Sequence, residues 1–379
     1  MPKHAQNSLQ SASNFVFFGM MIAENTYTLS AEIANWQPLP PMIVRDAELS
    51  AEIASEGFAV RSFLNSEALA ALREIYAREH AIANEEGGMF YSLYSQNLEY
   101  RERIDKEVGA VMKPYLEAFF HSYKTVLHGF IVKVPGPKSG FLIHQDTTGL
   151  DEFKFSSLSV WIPLYDIGPE DGAMCFVRRS HKMGYPYRGI SFAFPFDKIH
   201  GTVKRYLEPV YMKAGEAIIF DQRTFHASLP NRSEKNRIVA VAGLFPEAAE
   251  FQISYQESPE APVEIYRQAD DFILKYPRFM HDCRSRPIAG EKIREVEFTV
   301  PLWTPEEFVA KAEAAGLQPL DLVGRDDRLG CNPMPEPDGV EREPLAPLVK
   351  PKPVEEVQNS APETAPSNNG GGWLKRIFG

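Results

Sequence analysis

From about residue 129 to 247 the chain is a succession of short β-branched and aromatic runs separated by turn residues, among them GFIVKV, FLIHQD, SLSVWIPLYDI, EAIIFDQRTFHASL and NRIVAVAGLF. Runs of that length and composition read as half-buried strands and exclude a helical bundle. So many of them at close spacing predict a mainly β protein with flanking helices, built as a double-stranded β-helix: a jelly-roll, cupin-like barrel. Within FLIHQD, His144 and Asp146 stand at i and i+2. Alternate residues of an extended strand share a face, so one strand end presents both side chains in the same direction while Gln145 points away.

EAIIFDQRTFHASL reads as one strand and NRIVAVAGLF as the next, with the turn formers Pro-Asn-Arg-Ser-Glu-Lys between them. A hairpin folded about residues 231 and 232 sets His226 nearly opposite Arg237, and cross-strand neighbours lie roughly 5 Å apart. Two histidines and one carboxylate, with open positions left over, are the donor set of a non-haem Fe(II) oxygenase. Fe(II) with one aspartate carries a single net positive charge, and a chelating dianion such as 2-oxoglutarate needs a further cation for its far carboxylate. The planar fork of Arg237 suits that task better than a lysine would. Ser228, in phase with His226, is placed to add a hydrogen bond to the same carboxylate.

The segment from about Gly129 to Phe245 resembles the phytanoyl-CoA dioxygenase family of Fe(II)/2-oxoglutarate oxygenases. The likeness rests on HQD at 144–146, SLSVWIPLYDI followed by Asp171-Gly172-Ala173, Ser180-His181-Lys182, and HASLPNRSEKNR at 226–237. EGFAVRSFLNSEALAALREIY at 56–76 resembles the family's opening strand and helix, so the likeness spans roughly residues 50–250. It implies His144, Asp146 and His226 as iron ligands, Arg237 with Ser228 as the 2-oxoglutarate anchor, and Fe(II), 2-oxoglutarate and O2 as cofactor and co-substrates. The implied reaction is hydroxylation of an unactivated C–H bond of a small molecule, with release of succinate and CO2. Halogenation is disfavoured because Asp146 occupies the position a halide ligand needs. Where the family has Pro-Gly before Ser-His, this chain has Arg178-Arg179, which suggests an anionic or acyl-conjugate substrate steered by charge, or a solvated surface pair. The competing readings are a catalytically silent barrel serving as a binding or scaffold module, and a metal-dependent cupin-like enzyme that does not use 2-oxoglutarate.

Other residues are less sharply defined. Trp161 lies on either the interior or the outer face of its strand, as cofactor wall or as core. Lys133 either touches an anion or snorkels at the surface. His181 reads as a hydrogen-bonded structural histidine, and His121, His128 and His200 have no partner pattern. A formal charge of −11 argues against general nucleic-acid binding, and three cysteines form no disulfide framework, which suits a reducing cytoplasm.

Residues 1–50 read as an N-terminal extension containing FVFFGMMI, too short to span a membrane, with Met20 and Met21 as alternative translation starts. An oxygenase domain is expected over 51–325, its barrel at about 125–250 and a helical addition at 251–325. Phe90, Tyr91 and Tyr94 beside a Gly-Gly pair read as a mobile loop at the mouth. Residues 326–372 read as a disordered Pro-rich linker, and 373–379 as an apolar-basic tag for peripheral membrane or protein docking.

Overall fold

The computed structural model describes residues 29–79, 88–189, 191–276 and 289–323. All belong to the first of two compact units, Met1–Met334; the second, Pro335–Gly379, lies outside the described residues. The expected linker from 326 onward, the tag at 373–379 and the FVFFGMMI segment therefore fall outside them as well.

In chain order the strands are β1 (Phe58–Ser62), β2 (Met89–Tyr91), β3 (Tyr123–Lys133), β4 (Phe141–His144), β5 (Leu158–Pro163), β6 (Met174–Phe176), β7 (Glu208–Val210), β8 (Glu216–Asp221), β9 (His226–Ser228), β10 (Arg237–Pro246), β11 (Phe251–Tyr255), β12 (Val263–Gln268) and β13 (Glu291–Val296). The helices are α1 (Ala31–Ala34), α2 (Ala47–Glu56), α3 (Ser66–Glu79), α4 (Leu98–Phe119), α5 (His200–Lys204), α6 (Phe272–Lys275) and α7 (Pro305–Ala314). A six-stranded sheet runs β1-β8-β5-β10-β3-β2, and a four-stranded sheet runs β4-β9-β6-β7. The chain passes back and forth between them: β3, β5, β8 and β10 are in the large sheet, while β4, β6, β7 and β9 are in the small one. That alternation is the winding of a jelly roll, here two facing sheets.

Strand parity decides what each face covers. Leu158, Val160, Ile162 and Leu164 pack with Leu69 and Leu72 of α3 and Ile104 and Val108 of α4, so the helices blanket the outer face of the large sheet. The opposite parity, Trp161 with Ile218, Phe220, Val239 and Val241, meets Met174 and Phe176 of the small sheet between the layers. Trp161 thus belongs to the interior. Asn65 caps α3 by accepting from the Ala68 N–H at 2.9 Å, and Thr304 begins α7 with a capping box.

Several expectations need correction. EAIIFDQRTFHASL is not one strand: β8 ends at Asp221, the chain turns, and β9 begins at His226 in the other sheet. His226 and Arg237 are accordingly not hairpin partners; β9 pairs with β4 and β6, and β10 with β3 and β5. The helical addition at 251–325 contains instead the three-stranded sheet β11-β12-β13, and among the described residues its α-helices are α6 and α7. Alternation in FQISY and VEIYRQ is the signal that outweighs helix propensity there. The core also begins before residue 51, since Ile43, Val44 and Leu49 are buried within it. Tyr91 lies in β2 and Tyr94 in a single 3-10 turn, where a loop was expected.

Candidate metal centre and co-substrate pocket

His144 closes β4 and His226 opens β9, and the two residues are register partners across those strands. Asp146 follows two residues after His144. One donor atom from each of the three lies within 4.8 Å of the others. Asp146 Oδ1 stands 3.9 Å from His144 Nε2 and 3.8 Å from His226 Nε2. Each imidazole is oriented by its other nitrogen: His144 Nδ1 is 2.8 Å from the Leu142 carbonyl, and His226 Nδ1 is 2.8 Å from the Thr224 carbonyl. A carbonyl only accepts, so both Nδ1 atoms carry the proton and both Nε2 lone pairs are free to face a metal. Burial, joined at His144 by the neighbouring His226, pulls the histidines down to about 3 and about 4, keeping them neutral ligands. Burial raises the Asp146 carboxyl, an effect partly opposed by His144, Arg188 and Ser159.

The corner between β8 and β9 holds the triad together. Gln222 O accepts from the Asp146 N–H at 3.0 Å, Arg223 O accepts from Gln145 Nε2, and Thr224 O orients His226. The corner is itself tied by Arg223, whose guanidinium donates to both Asp221 carboxylate oxygens and, at 2.8 Å, to the Leu39 carbonyl. Thr224 and His181 crowd Gly57, where an added Cβ would lie 2.8 Å from either side chain; φ there is +91°, so glycine is required twice over. His181 Nε2 donates to the Ala54 carbonyl, 3.1 Å away, which is the structural role expected of it. A buried bidentate pair, Arg188 with Glu152, sits beside the metal-binding strand end, and Arg188 Nε donates to Asp146 O at 2.9 Å.

The triad opens into a cavity of about 280 Å³ between the two sheets. Arg237, at the start of β10, lines it together with Ser228 and Trp161. Its Nη1 donates to the Gly172 carbonyl at 2.6 Å and its guanidinium carbon lies 5.0 Å from the centre of the Trp161 ring. Its Nε is buried with no hydrogen-bond partner among the described residues. Burial draws the guanidinium down to about 9, the mark of a cation shut away from water without a counter-ion. An orphaned donor on a buried arginine, in the cavity that two histidines and an aspartate share, fits a bound carboxylate beside a metal ion.

Lys133 takes neither of its expected roles. It is fully buried, and its ammonium donates to the carbonyls of Ser228 at 3.0 Å and Leu229 at 2.6 Å, holding β9 against β3 from behind. It is not among the cavity's lining residues. Arg178 and Arg179 also lie off the cavity: Arg178 pairs with Glu208 and Glu56, Arg179 with Glu56 and the Ala315 carbonyl. Both are neutralised structural ties, a finding that removes the charge-steering expectation. Sequence reading missed Phe251 and Ile273 in the cavity wall, because nothing local to β11 or α6 signals that they fold back over the jelly roll.

Residues 56–239 match the family model of phytanoyl-CoA dioxygenase. They form a domain of that family. Its members are non-haem Fe(II)/2-oxoglutarate dioxygenases, and His144, Asp146 and His226 form a group that could hold a metal ion. Similar solved structures include the alpha-ketoglutarate-dependent carbocyclase SnoK from nogalamycin biosynthesis, 18% identical over 56% of this chain and 88% of that one, with a TM-score of 0.42. The epimerase SnoN, in complex with Fe3+, alpha-ketoglutarate and nogalamycin RO, is 19% identical over 66% of this chain and 94% of that one, TM-score 0.40. HygX from Streptomyces hygroscopicus, with nickel, 2-oxoglutarate and hygromycin B bound, is 16% identical over 54% and 88%, TM-score 0.37. No curated protein sequence gives a significant match. No helix among the described residues is long and apolar enough to cross a membrane.

Proposed function

We propose that this dioxygenase hydroxylates an unactivated C–H bond of a small molecule. One atom of O2 enters the new alcohol and the other enters succinate, as 2-oxoglutarate loses CO2. His144 Nε2, Asp146 Oδ1 and His226 Nε2 would hold Fe(II), leaving the remaining coordination positions for 2-oxoglutarate and O2. Arg237, with Ser228 beside it, would receive the far carboxylate, and Trp161 would keep the guanidinium plane in place. Lys133 is a positioning residue for β9, not a contact of the co-substrate. Bound iron and 2-oxoglutarate supply the oxidising power. The chain's own share is to fix the tautomers of both histidines, to neutralise the dianion and to keep water out.

The observation that carries this reading is the buried, partnerless Nε of Arg237 in the same cavity as three convergent metal donors. Neither a silent scaffold nor a 2-oxoglutarate-independent cupin gives that donor a task. The test is anaerobic titration of Fe(II) and 2-oxoglutarate into the protein, followed by succinate measurement on admitting O2. Succinate should form only when both are present. His144→Ala, Asp146→Ala and His226→Ala should each abolish it while the far-ultraviolet circular dichroism stays unchanged; full succinate formation by any one variant would remove that residue from the ligand set.

A further inference from the structure

The charges that line the cavity identify what can enter it. Among the described residues, the charged side chains of the wall are Asp146 and Arg237, flanked by the two ligand histidines. On the proposed reading both charges are already committed, one to iron and one to 2-oxoglutarate. The rest of the wall is apolar, amide, hydroxyl or backbone. Leu127 and Phe245 come from the large sheet, Phe141 from the small sheet, and Phe251 and Ile273 from the addition that follows the jelly roll. Tyr91 and Tyr94 stack edge to face at 5.1 Å and close one side. Burial raises both phenols well above their ordinary range, so they stay neutral. Arg178 and Arg179 lie off the cavity, paired with Glu56 and Glu208.

A carboxylate, phosphate or ammonium brought into such a wall loses its hydration and finds no opposite charge, which costs several kcal/mol per ion even after relaxation. A hydrocarbon or aromatic surface is stabilised there in proportion to the area it buries. We propose that the part of the substrate entering this cavity is uncharged and predominantly apolar, an aliphatic chain or fused ring system carrying at most neutral oxygen groups, seated against the wall that Tyr91, Tyr94, Phe251 and Ile273 help to form. The proposal rests on the oxygenase reading above, since it assigns Arg237 to the co-substrate.

The test compares isosteric probes that differ only in charge. Full-length protein loaded anaerobically with Fe(II) and 2-oxoglutarate is titrated calorimetrically with 1-decanol, decanoate and decylammonium, each below its micelle-forming concentration. The expected result is that decanol binds at least tenfold more tightly than either ion, and that Leu127→Trp weakens decanol at least tenfold while 2-oxoglutarate affinity is retained. Decanoate or decylammonium binding as tightly as decanol overturns the proposal, and so does absence of decanol binding to the loaded wild-type protein. The wild-type series needs no variant to fold, so it decides the matter even if Leu127→Trp is unstable. Failure of 2-oxoglutarate to bind at all is a separate outcome, read before any probe is added: it overturns the oxygenase reading, and the substrate assignment falls with it.

Discussion

At the scale of single residues, the chemistry of the site was legible wherever a side chain's role depends on its type and its phase along a strand. A strand's period of two picked out His144 and Asp146 as a pair, although β4 ends at His144 and it is the hydrogen bond from the Asp146 N–H to Gln222 O that sets Asp146 beside it. Arg237 was picked out by the cation a chelating dianion needs and by a hairpin with His226 that does not form, since β10 pairs with β3 and β5 and β9 with β4 and β6. The expected consequence is that Arg237→Lys, which keeps the charge but not the fork, weakens 2-oxoglutarate by about tenfold or more. Anaerobic calorimetry checks this, and an undiminished affinity would mean the far carboxylate is held by another group. Lys133 was misread because burial cannot be seen in a lone cation flanked by Val132 and Val134. Its ammonium satisfies the carbonyls of Ser228, the last residue of β9, and of Leu229 just after it, and burial together with Arg237 drives its pKa well below the ordinary lysine range. Lys133→Met therefore leaves both acceptors without that donor. At about 1–3 kcal/mol per orphaned buried group it should lower stability measurably. Urea unfolding of the variant gives the number, and an unchanged midpoint would show that the carbonyls find other donors.

At the scale of elements, most strand-forming runs of the jelly roll were legible and their partners were not. Periodicity says which residues share a face, but the sheet a strand joins is set at corners, and the corner from Asp221 to Phe225 sends β9 away from β8 into the opposite sheet. Nothing in DQRTF distinguishes a continuing strand from a sheet change. The tie of Arg223 to Asp221, both 2% exposed at their side chains, becomes visible only in three dimensions. Burial opposes ionisation of Asp221, but the Arg223 guanidinium outweighs it and holds the carboxyl below the usual range. Asp221→Asn strands a buried guanidinium and should cost about 3–5 kcal/mol of stability. It should also weaken metal binding, because Thr224 O in the same corner orients His226. The pH dependence has a definite sign. A carboxyl whose folded pKa lies below its unfolded value of about 3.9 contributes stability above that pH and loses it as pH falls through the folded value. The gap between wild type and Asp221→Asn should therefore be full at neutral pH and narrow below about pH 4. Denaturant midpoints measured at several pH values test this; a gap independent of pH would mean the Asp221 charge is not what the corner uses.

For the whole molecule, the jelly roll was foreseeable because strand-length runs and turns recur at short intervals, whereas β11, β12 and β13 were read as helix because their neighbours DDFILKYPRF and TPEEFVAKAEAAG carry stronger helical patterns. The structure separates what folds the domain from what makes it a site. The largest hydrophobic cluster forms where α3 and α4 cover the outer face of the six-stranded sheet, whereas Phe176 and Phe220, whose rings pack on His226, belong to a separate cluster between the sheets. A domain whose main core stands apart from its metal should survive metal removal, unlike a zinc finger, which unfolds without its ion. Binding still adds stability by mass action, about 2.7 kcal/mol when a ligand is present at a hundredfold its dissociation constant. For a domain of this size each kcal/mol shifts the midpoint by roughly 2–4 °C. Chelation should thus lower the thermal midpoint by about 5–10 °C and leave the far-ultraviolet spectrum at 25 °C unchanged. Restoring Fe(II) and 2-oxoglutarate together should return the midpoint to its starting value, with either alone recovering only part. Loss of secondary structure on chelation at 25 °C would show instead that the four-stranded sheet depends on the metal to hold β4 against β9 at His144 and His226.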